Sequence, residues 1–384
     1  MIPHSRPTLD KQDYITIKDV ISSKYIAEGN KVKEFEQALA SYIGVKSGVA
    51  VSSGTAALHL ALIGMGIKAE DEVILPTFVC TAPLHAINYI SAKPVFVDIE
   101  ESTFNLSVSD IKNKLTRKTK LIIVPHLFGL PADMDEILSL GVPVIEDCAH
   151  SIGAKYHSKE VQPQEVRPQM VGSMGAASIF SFYATKMMTT GEGGMVLSND
   201  EKFIAKIRDL REYDEKDNYT IRFNYKMTDI QATIGISQLN KLPKFIARRQ
   251  EIAQKYNSQF PKFGICPAFF GIPHLREDLG FGIWNRVWYR YIIRAKKDAT
   301  EYINKLRLKG IECKKPIYKP LHQYMVEAKQ KSRLPRSSGG SGGRIKKGFP
   351  IADRVYSSAI SIPIYPSLTD KEVHFIIDTI NSLV

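Results

Sequence analysis

The amino-acid sequence predicts an α/β protein with two domains: a large domain over residues 1–245, built on a seven-stranded, mostly parallel sheet, and a smaller α+β domain over residues 246–384. The first two-thirds of the chain alternates short apolar runs with amphipathic stretches, which is the pattern of strands joined by helices. A length of 384 residues and an apolar content of 44% suit two or three structural units with a large buried core.

Seven apolar runs have the length and composition of strands. They cover residues 49–52, 72–76, 94–98, 121–126, 142–147, 177–182 and 194–198. A parallel sheet places ligands at the carboxyl ends of its strands, where loops and helix N-termini gather. The residues that directly follow each strand are therefore the first candidates for a functional site.

The remaining third of the chain has a different pattern. Residues 228–260 predict helix, and Pro243 inside this segment predicts a break between two helices. Residues 288–294 alternate as in a strand, and residues 299–310 fit a helix. These elements indicate the smaller domain.

Two local patterns lie near the C-terminus. Thr369 and Glu372 have the spacing of a capping box, which predicts that a last helix begins there. The segment SSGGSGG, from Ser337 to Gly343, has the composition of a flexible linker. It is either a natural loop or an engineered replacement for one.

Composition argues against several classes of protein. The 52 Lys and Arg against 40 Asp and Glu give a net charge of +12, but the basic residues are dispersed, which does not favour a nucleic-acid surface. The uncharged stretches 47–67 and 73–92 contain Gly, His, Pro and Asn, so neither suits a membrane span. Four separated cysteines indicate no disulfide framework and no cysteine metal site. The N-terminus lacks a secretory signal, so we expect a cytoplasmic protein.

The first candidate site follows the strand at residues 49–52, where Ser53, Gly54 and Thr55 lead into a good helix former. Free N–H groups at a helix start favour an anion, Gly54 lets a ligand approach the backbone, and Thr55 offers a hydroxyl. A phosphate fits there, although a plain strand-to-helix turn with a Ser/Thr cap has the same sequence. The pattern is neither GxGxxG nor GxxxxGK[ST], so it does not support a dinucleotide or Walker-type site.

The second candidate site is the end of the strand at residues 142–147, where Glu146 and Asp147 precede His150. An acid at the end of a buried strand is costly unless it has a cationic or hydrogen-bonding partner. Asp147 is the better candidate for the inward position, where its carboxylate would hold a heterocyclic nitrogen protonated while His150 orients the acid or lies against the ring. The alternative is a helix cap at Asp147 and a satisfied core histidine at His150.

The third candidate site is the turn after residue 182, which contains Lys186. Most lysines are solvated surface residues, but one at the carboxyl edge of a sheet, among small polar residues, can reach a carbonyl cofactor and form a Schiff base. The neighbours here are Thr185, Thr189, Thr190, Gly191, Gly193 and Gly194. A phosphate anchor, a buried carboxylate and a turn lysine are the three parts that a pyridoxal phosphate site needs.

Several segments resemble one known family. They are SGTAALHLAL, EVILPTF, KPVFVDIE, VIEDCAHSIGA, FSFYATKMMTTGEGGMV and FNYKMTDIQA. Together they resemble the DegT/StrS sugar aminotransferases, which are fold type I pyridoxal phosphate enzymes of amino-sugar biosynthesis. The resemblance covers almost the whole chain and is most specific in the lysine segment. It implies a fold type I architecture and pyridoxal 5'-phosphate as the cofactor.

The resemblance also implies roles for the residues around the cofactor ring. Lys186 matches the Schiff-base lysine, which moves protons once a substrate amine displaces it. Asp147 matches the acid that pairs with the pyridine nitrogen, and His150 falls where the family has Gln or His near the ring. Cys80 stands where many members have an aromatic residue stacked on the ring, so the stacking surface is either thinner or supplied by Phe78.

For the phosphate, the resemblance implies contacts from Gly54, Thr55 and Ser181. Asn224 matches an asparagine that reaches the phosphate of the neighbouring subunit, which implies a homodimer with shared active sites. The stretch from Gln162 to Met170 is longer than the usual link, and it suits either a loop over the site or a subunit contact.

The implied reaction moves an amino group from glutamate or glutamine to a keto-sugar, often one linked to a nucleotide, in amino-sugar and polysaccharide biosynthesis. Tyr183 and His322 are candidate substrate contacts, with a structural aromatic and a loop histidine as the alternatives. A free keto-sugar acid or a keto-cyclitol is an alternative substrate. A sugar dehydratase of this fold replaces the lysine by histidine, so the presence of Lys186 argues against it. No appended segment suggests a DNA-binding regulator.

Overall fold

The computed structural model describes residues 1–158, 168–260, 286–296, 298–325 and 348–383. The linker-like Ser337 to Gly343, and all but the last residues of the stretch from Gln162 to Met170, lie outside these ranges. The strands are β1 (Ser47–Val51), β2 (Glu72–Pro76), β3 (Lys93–Val97), β4 (Thr119–Pro125), β5 (Val144–Asp147), β6 (Lys155–Tyr156), β7 (Gln169–Met170), β8 (Ala177–Ser181), β9 (Gly194–Ser198), β10 (Tyr291–Arg294) and β11 (Ala359–Ile362).

The helices surround these strands in chain order. They are α1 (Lys11–Ser23), α2 (Asn30–Ile43), α3 (Gly54–Gly64), α4 (Ala82–Tyr89), α5 (Val108–Lys114), α6 (Met134–Leu138), α7 (Glu201–Leu210), α8 (Asp229–Gln259), α9 (Ala299–Leu308), α10 (Pro350–Ser358) and α11 (Asp370–Asn381). None of the helices in the described ranges is long and apolar enough to cross a membrane.

One seven-stranded sheet forms the centre of the large domain, with the strand order β1-β9-β8-β5-β4-β2-β3. Strands β8, β5, β4, β2 and β3 are parallel to one another, and β9 lies antiparallel between β1 and β8. The parallel strands are almost continuously apolar because helices cover both faces of such a sheet. The predicted fold class is confirmed, and each predicted strand overlaps an observed one.

Helix α8 differs from the prediction. It runs unbroken from Asp229 to Gln259, so the predicted break at Pro243 is wrong. Pro243 lies on the exposed side of the helix, while Leu242 and Phe245 are buried. Burial of the inner face offsets the hydrogen bond that proline cannot donate. The predicted domain boundary at residue 245 falls inside this helix and stays a prediction.

A second group of buried side chains belongs to the C-terminal part of the chain. The antiparallel pair β10–β11 packs with α9, α11 and the end of α8, as predicted from the alternation over 288–294 and the helical pattern over 299–310. The capping box at the start of α11 is present: the Thr369 hydroxyl accepts the Glu372 N–H at 3.3 Å, and the Glu372 carboxylate accepts the Thr369 N–H at 2.8 Å.

Hydrogen bonds connect the C-terminal part of the chain to the carboxyl edge of the sheet. The Asp98 carboxylate, just after β3, accepts the N–H groups of Ile351 and Ala352 in the first turn of α10, at 3.1 and 2.9 Å. Beyond β4, the Gly129 carbonyl accepts the Val287 N–H at 3.1 Å. These contacts bring residues near β10 to the edge of the sheet where the candidate site lies.

Candidate active site

The N-terminus of α3 and the end of β8 form a cradle for an anion. The Ser53 hydroxyl caps α3 by accepting the Ala56 N–H at 3.1 Å, and within the described ranges the N–H groups of Gly54 and Thr55 have no protein acceptor. A Cβ atom at Gly54 would lie 2.8 Å from the Ser181 Cβ. Glycine is therefore needed here for the close approach of Ser181, and the free N–H groups and hydroxyls fit a phosphate.

Asp147 ends β5 as a buried carboxyl group with spare hydrogen-bonding capacity. Its Oδ1 accepts the Ala149 N–H at 3.0 Å, and Oδ2 has no partner in the described part of the chain. Burial raises the pKa of Asp147, and the Ala149 hydrogen bond and the charge of Lys186 oppose that rise. A buried carboxyl with a free oxygen requires a donor. The protonated nitrogen of a heterocycle would supply one.

Glu146, the neighbouring acid, is fully engaged. Its Oε1 accepts the N–H groups of Met174 and Gly175 at 2.8 and 2.7 Å, and its Oε2 accepts from the Gly172 N–H at 2.8 Å and from His126 Nε2 at 3.1 Å. Burial alone would raise the pKa of Glu146, but the His126 and backbone hydrogen bonds outweigh it and lower that pKa. The sequence-based choice of Asp147 as the acid that faces a ligand agrees with this difference.

His126, Glu146 and Cys148 lie close enough to suggest a metal site, with possible ligand atoms within 4.8 Å of one another. His126 Nδ1, however, accepts the Ala132 N–H at 3.0 Å, so the proton is on Nε2, which donates to Glu146. The nitrogen and carboxylate atoms that would bind a metal are already hydrogen-bonded. This trio is therefore structural.

We expect Glu146→Gln to destabilise the protein by about 3 kcal/mol at neutral pH, because an amide N–H₂ would face backbone donors in a buried site. Since the folded-state pKa of Glu146 is lowered, its contribution is present above the unfolded-state pKa and is lost as the pH falls through the folded-state value. Denaturant unfolding should show a large difference between wild type and variant at neutral pH and a smaller one in acid. An equal difference at both pH values would contradict this account.

Lys186 lies in the turn after β8, where its backbone N–H donates to the Tyr183 carbonyl at 2.9 Å. Its Nζ is 5.3 Å from the centre of the Tyr289 ring. The positive charge of Lys186 also lowers the pKa values of Asp147 and Cys80 against the opposing effect of burial. The fold thus brings the amine, the buried acid and the cysteine close enough to one another for their charges to interact, and their roles at a cofactor stay a prediction.

His150 is stacked between two aromatic rings. Its ring centre is 4.2 Å from that of Tyr289 and 5.8 Å from that of Phe128, with interplanar angles of 20° and 17°. Burial, followed by the charges of Lys186 and Arg290, holds the pKa of His150 well below its ordinary value. The imidazole is therefore neutral at physiological pH.

Cys80 is accessible to solvent, yet the surrounding protein desolvates it and raises its pKa. Its thiol also lies close enough to Lys186 and Asp147 for both charges to act on its pKa. Phe78 is fully buried and packs on Phe104 and Phe128, with ring centres 6.1 and 6.5 Å apart. The suggestion that Phe78 provides a stacking surface is wrong, because its ring is part of the hydrophobic core.

The remaining predicted residues lie nearby with different contacts. Tyr183 is exposed beside the lysine turn, and Asn224 is exposed on the segment that runs along the end of β1. His322 has both ring nitrogens engaged: Nδ1 is 2.7 Å from the Thr77 hydroxyl, and Nε2 is 3.0 Å from Asp353. These contacts suit the structural alternative for His322, and its role as a substrate contact stays a prediction.

Sequence reasoning missed Tyr289, which joins the site from the strand segment WYRYIIR. Its side chain is buried between His150 and Lys186. Burial alone would raise its pKa, but the charges of Lys186 and Arg290, a hydrogen bond from Thr185 and the charge of Arg249 lower the pKa of Tyr289 to about 8. No local pattern marks this residue, since its neighbours come from other parts of the chain.

The fold, the free N–H groups at the start of α3, the buried acid and the turn lysine together suit one class of protein, an α/β enzyme that uses a phosphorylated heterocyclic aldehyde. Residues 7–381 match the DegT/DnrJ/EryC1/StrS aminotransferase family. The chain belongs to this family, whose cofactor is pyridoxal phosphate, and it is an aminotransferase. The predicted family, enzyme class and cofactor are confirmed.

Curated relatives and solved structures agree with this assignment. The GDP-perosamine synthase of Escherichia coli O157:H7 is 33% identical, over 99% of this chain and 98% of that protein. Uncharacterized protein MJ1066 of Methanocaldococcus jannaschii is 35% identical, over 100% of this chain and 97% of that protein. Among solved structures, the sugar aminotransferase Spr1654 from Streptococcus pneumoniae, in its pyridoxal phosphate (PLP) form, is similar with a TM-score of 0.85 and 27% identity. The similarity covers 100% of this chain and 98% of that one.

Proposed function

We propose that this aminotransferase moves an amino group from glutamate or glutamine to a nucleotide-linked keto-sugar, in amino-sugar synthesis for a polysaccharide. One observation carries the proposal: the Lys186 amine lies close enough to the buried carboxyl group of Asp147 to lower its pKa, and Oδ2 of that group has no partner in the described part of the chain. Gly54 and Ser181, which form the phosphate cradle, lie close together at the same edge of the sheet.

The residues of the cavity fit pyridoxal phosphate, which supplies an electron sink for the electrons left when a C–H bond beside the transferred nitrogen breaks. The first N–H groups of α3 and the hydroxyls of Thr55 and Ser181 would hold the phosphate. The Asp147 carboxylate would accept the ring N–H and keep that nitrogen protonated. The Nζ of Lys186 would hold the cofactor and, after a substrate amine has replaced it, would move protons as a general acid and base.

The nucleotide-linked substrate is supported by the relative named GDP-perosamine synthase, which is similar over almost the whole chain. A net charge of +12 also suits an anionic substrate. A free keto-sugar acid would benefit from the same charge, and a keto-cyclitol is a third possibility. Deoxygenation by a dehydratase stays disfavoured because Lys186 is present.

A homodimer with shared active sites forms part of the proposal. Asn224 makes no contact with the lysine cavity among the described residues, and its side chain is exposed. Close to it in sequence, Tyr219 is 96% exposed and Ile221 is 71% exposed. Exposed apolar side chains of this kind favour burial against another surface. A second copy of the chain would cover them and place Asn224 at its phosphate cradle.

The test is a substrate panel with the purified, cofactor-loaded protein. We expect glutamate or glutamine to discharge the absorbance of the lysine-bound cofactor, and a nucleotide-linked keto-sugar to restore it. The corresponding free sugars, the free sugar acids and the bare nucleotide diphosphates serve as matched controls. Recovery with a free keto-sugar acid or a keto-cyclitol but with no nucleotide-linked sugar would overturn the substrate assignment.

A further inference from the structure

The backbone around Tyr289 is held in an unusual conformation. Trp288, directly before it, has φ +51°, a left-handed conformation that costs free energy for a residue with a side chain. Gly129, with φ +88°, lies opposite, and a Cβ there would be 3.0 Å from the Tyr289 nitrogen. The Val287 N–H donates to the Gly129 carbonyl. These contacts fix the position of the Tyr289 backbone, and its side chain lies against His150 and Lys186.

The phenol ring of Tyr289 lies close to the Lys186 amine. It stacks on His150 at 4.2 Å, and its centre is 5.3 Å from Lys186 Nζ. The hydroxyl of Thr185, the residue before the lysine, forms a hydrogen bond with the phenol oxygen. An amine that replaces Lys186 on the cofactor must enter beside this ring.

Among the described residues, the charges that lower the pKa of the phenol are those of three cations. Lys186 comes from the turn after β8, Arg290 has its guanidinium carbon 5.2 Å from the ring centre, and Arg249 comes from α8. His150, which stacks on the phenol ring, is neutral at physiological pH. Cations favour the phenolate, so they lower the pKa of Tyr289 to about 8 although its side chain is only 6% exposed. A general base works best when its pKa lies near the operating pH.

We propose that Tyr289 is the catalytic base that deprotonates the incoming amino donor. An amino acid reaches the site mainly as an ammonium ion, which has no lone pair for attack. The phenolate oxygen of Tyr289 takes one of its protons: an N–H bond of the ammonium breaks, its electron pair stays on nitrogen, and an O–H bond forms on Tyr289. This inference rests on the proposed function, since it takes Lys186 as the point where the donor enters.

The first test needs no cofactor. In an alkaline absorbance titration of the cofactor-free protein, we expect one tyrosine to titrate at about pH 8 in the wild type. That transition should be absent in Tyr289→Phe, which keeps the ring stacked on His150, and present in Tyr318→Phe, a control at an exposed site. Lys186→Ala should move it to higher pH, because one facing cation is lost. A transition that survives in Tyr289→Phe overturns the proposal.

The second test follows discharge of the cofactor-loaded protein by glutamate across neutral and alkaline pH. Tyr289→Phe should react about 100-fold more slowly than wild type near neutral pH. The difference in rate between Tyr289→Phe and wild type should disappear in alkali, because the donor loses its proton there without a base from the protein. Tyr318→Phe should match the wild type at every pH. A purely structural role would slow the reaction by the same factor at every pH, and that result overturns the proposal. Failure of the proposed function is distinguishable, because glutamate would then discharge neither the wild type nor the variant at any pH, or a sugar without a nucleotide would restore the cofactor, while the tyrosine transition of the cofactor-free protein would be unchanged.

Discussion

Replacing Lys186 with alanine is expected to lower the turnover number about 1000-fold or more. The amine both holds the cofactor and moves protons between carbon atoms, and loss of a positioned acid and base alone removes two to four orders of magnitude. Turnover measures the loss of proton transfer. Borohydride reduction followed by peptide mass analysis measures the loss of the link to the cofactor, since the wild-type peptide that contains Lys186 should carry the cofactor and the variant peptide should not.

Two further variants sharpen the Lys186 result. Lys186→Arg keeps the positive charge near Asp147, but its guanidinium stays protonated and cannot replace the amine, so it should be as inactive as the alanine variant. Lys202→Ala removes an exposed lysine from α7 and should behave as wild type. Retention of turnover or of borohydride labelling in Lys186→Ala would refute the assignment of this lysine.

The same variant tests whether active sites are shared between subunits. Lys186→Ala and Asn224→Ala homodimers should both be weak, the latter because it retains cofactor poorly. In an equal mixture that has exchanged subunits, half of the dimers are hybrids, and each hybrid has one site with both residues intact. About a quarter of the wild-type activity should then return. No recovery after proven exchange would place Asn224 outside the shared site.

The strands of the large sheet and three residues of the candidate site could be predicted from the sequence, because these residues end a strand or follow one directly. Gly54 comes just after β1, Asp147 ends β5 and Lys186 follows β8. Since carboxyl ends of parallel strands meet at one edge, local patterns alone place these side chains together. The apolar runs that mark the strands are strong signals because both faces of the sheet are covered.

The remaining features depend on contacts between distant segments. Tyr289 enters the cavity only because residues 287–289 dock on Gly129, and its lowered pKa results from cations on three different segments. The roles of Glu146 and Asp147 differ because, among the described residues, four hydrogen-bond donors contact the Glu146 carboxylate and one donor contacts that of Asp147. Pro243 failed as a helix breaker because packing of the inner face of α8 outweighs local propensity.

Replacing Asp147 with asparagine is expected to lower turnover about 100-fold or more. An amide cannot hold the ring nitrogen protonated, and loss of one partner of a buried charged pair costs about 3 kcal/mol or more, which corresponds to that factor. Steady-state kinetics at saturating cofactor measures the loss, and a cofactor titration should show weaker binding. Wild-type turnover in Asp147→Asn would show that the ring nitrogen needs no acid here.

The same substitution should have the opposite effect on the stability of the cofactor-free protein. Burial raises the pKa of Asp147, so the wild type is penalised as the pH rises through that value, whereas asparagine stays neutral. Asp147→Asn should therefore be more stable than wild type at neutral pH, and the gain should vanish below the ordinary aspartate pKa of about 4. Glu146→Gln, one residue away in β5, should be destabilised under the same conditions. Stability changes of opposite sign at these adjacent acids would distinguish a carboxyl group that needs a ligand as its partner from one whose hydrogen bonds the protein already supplies.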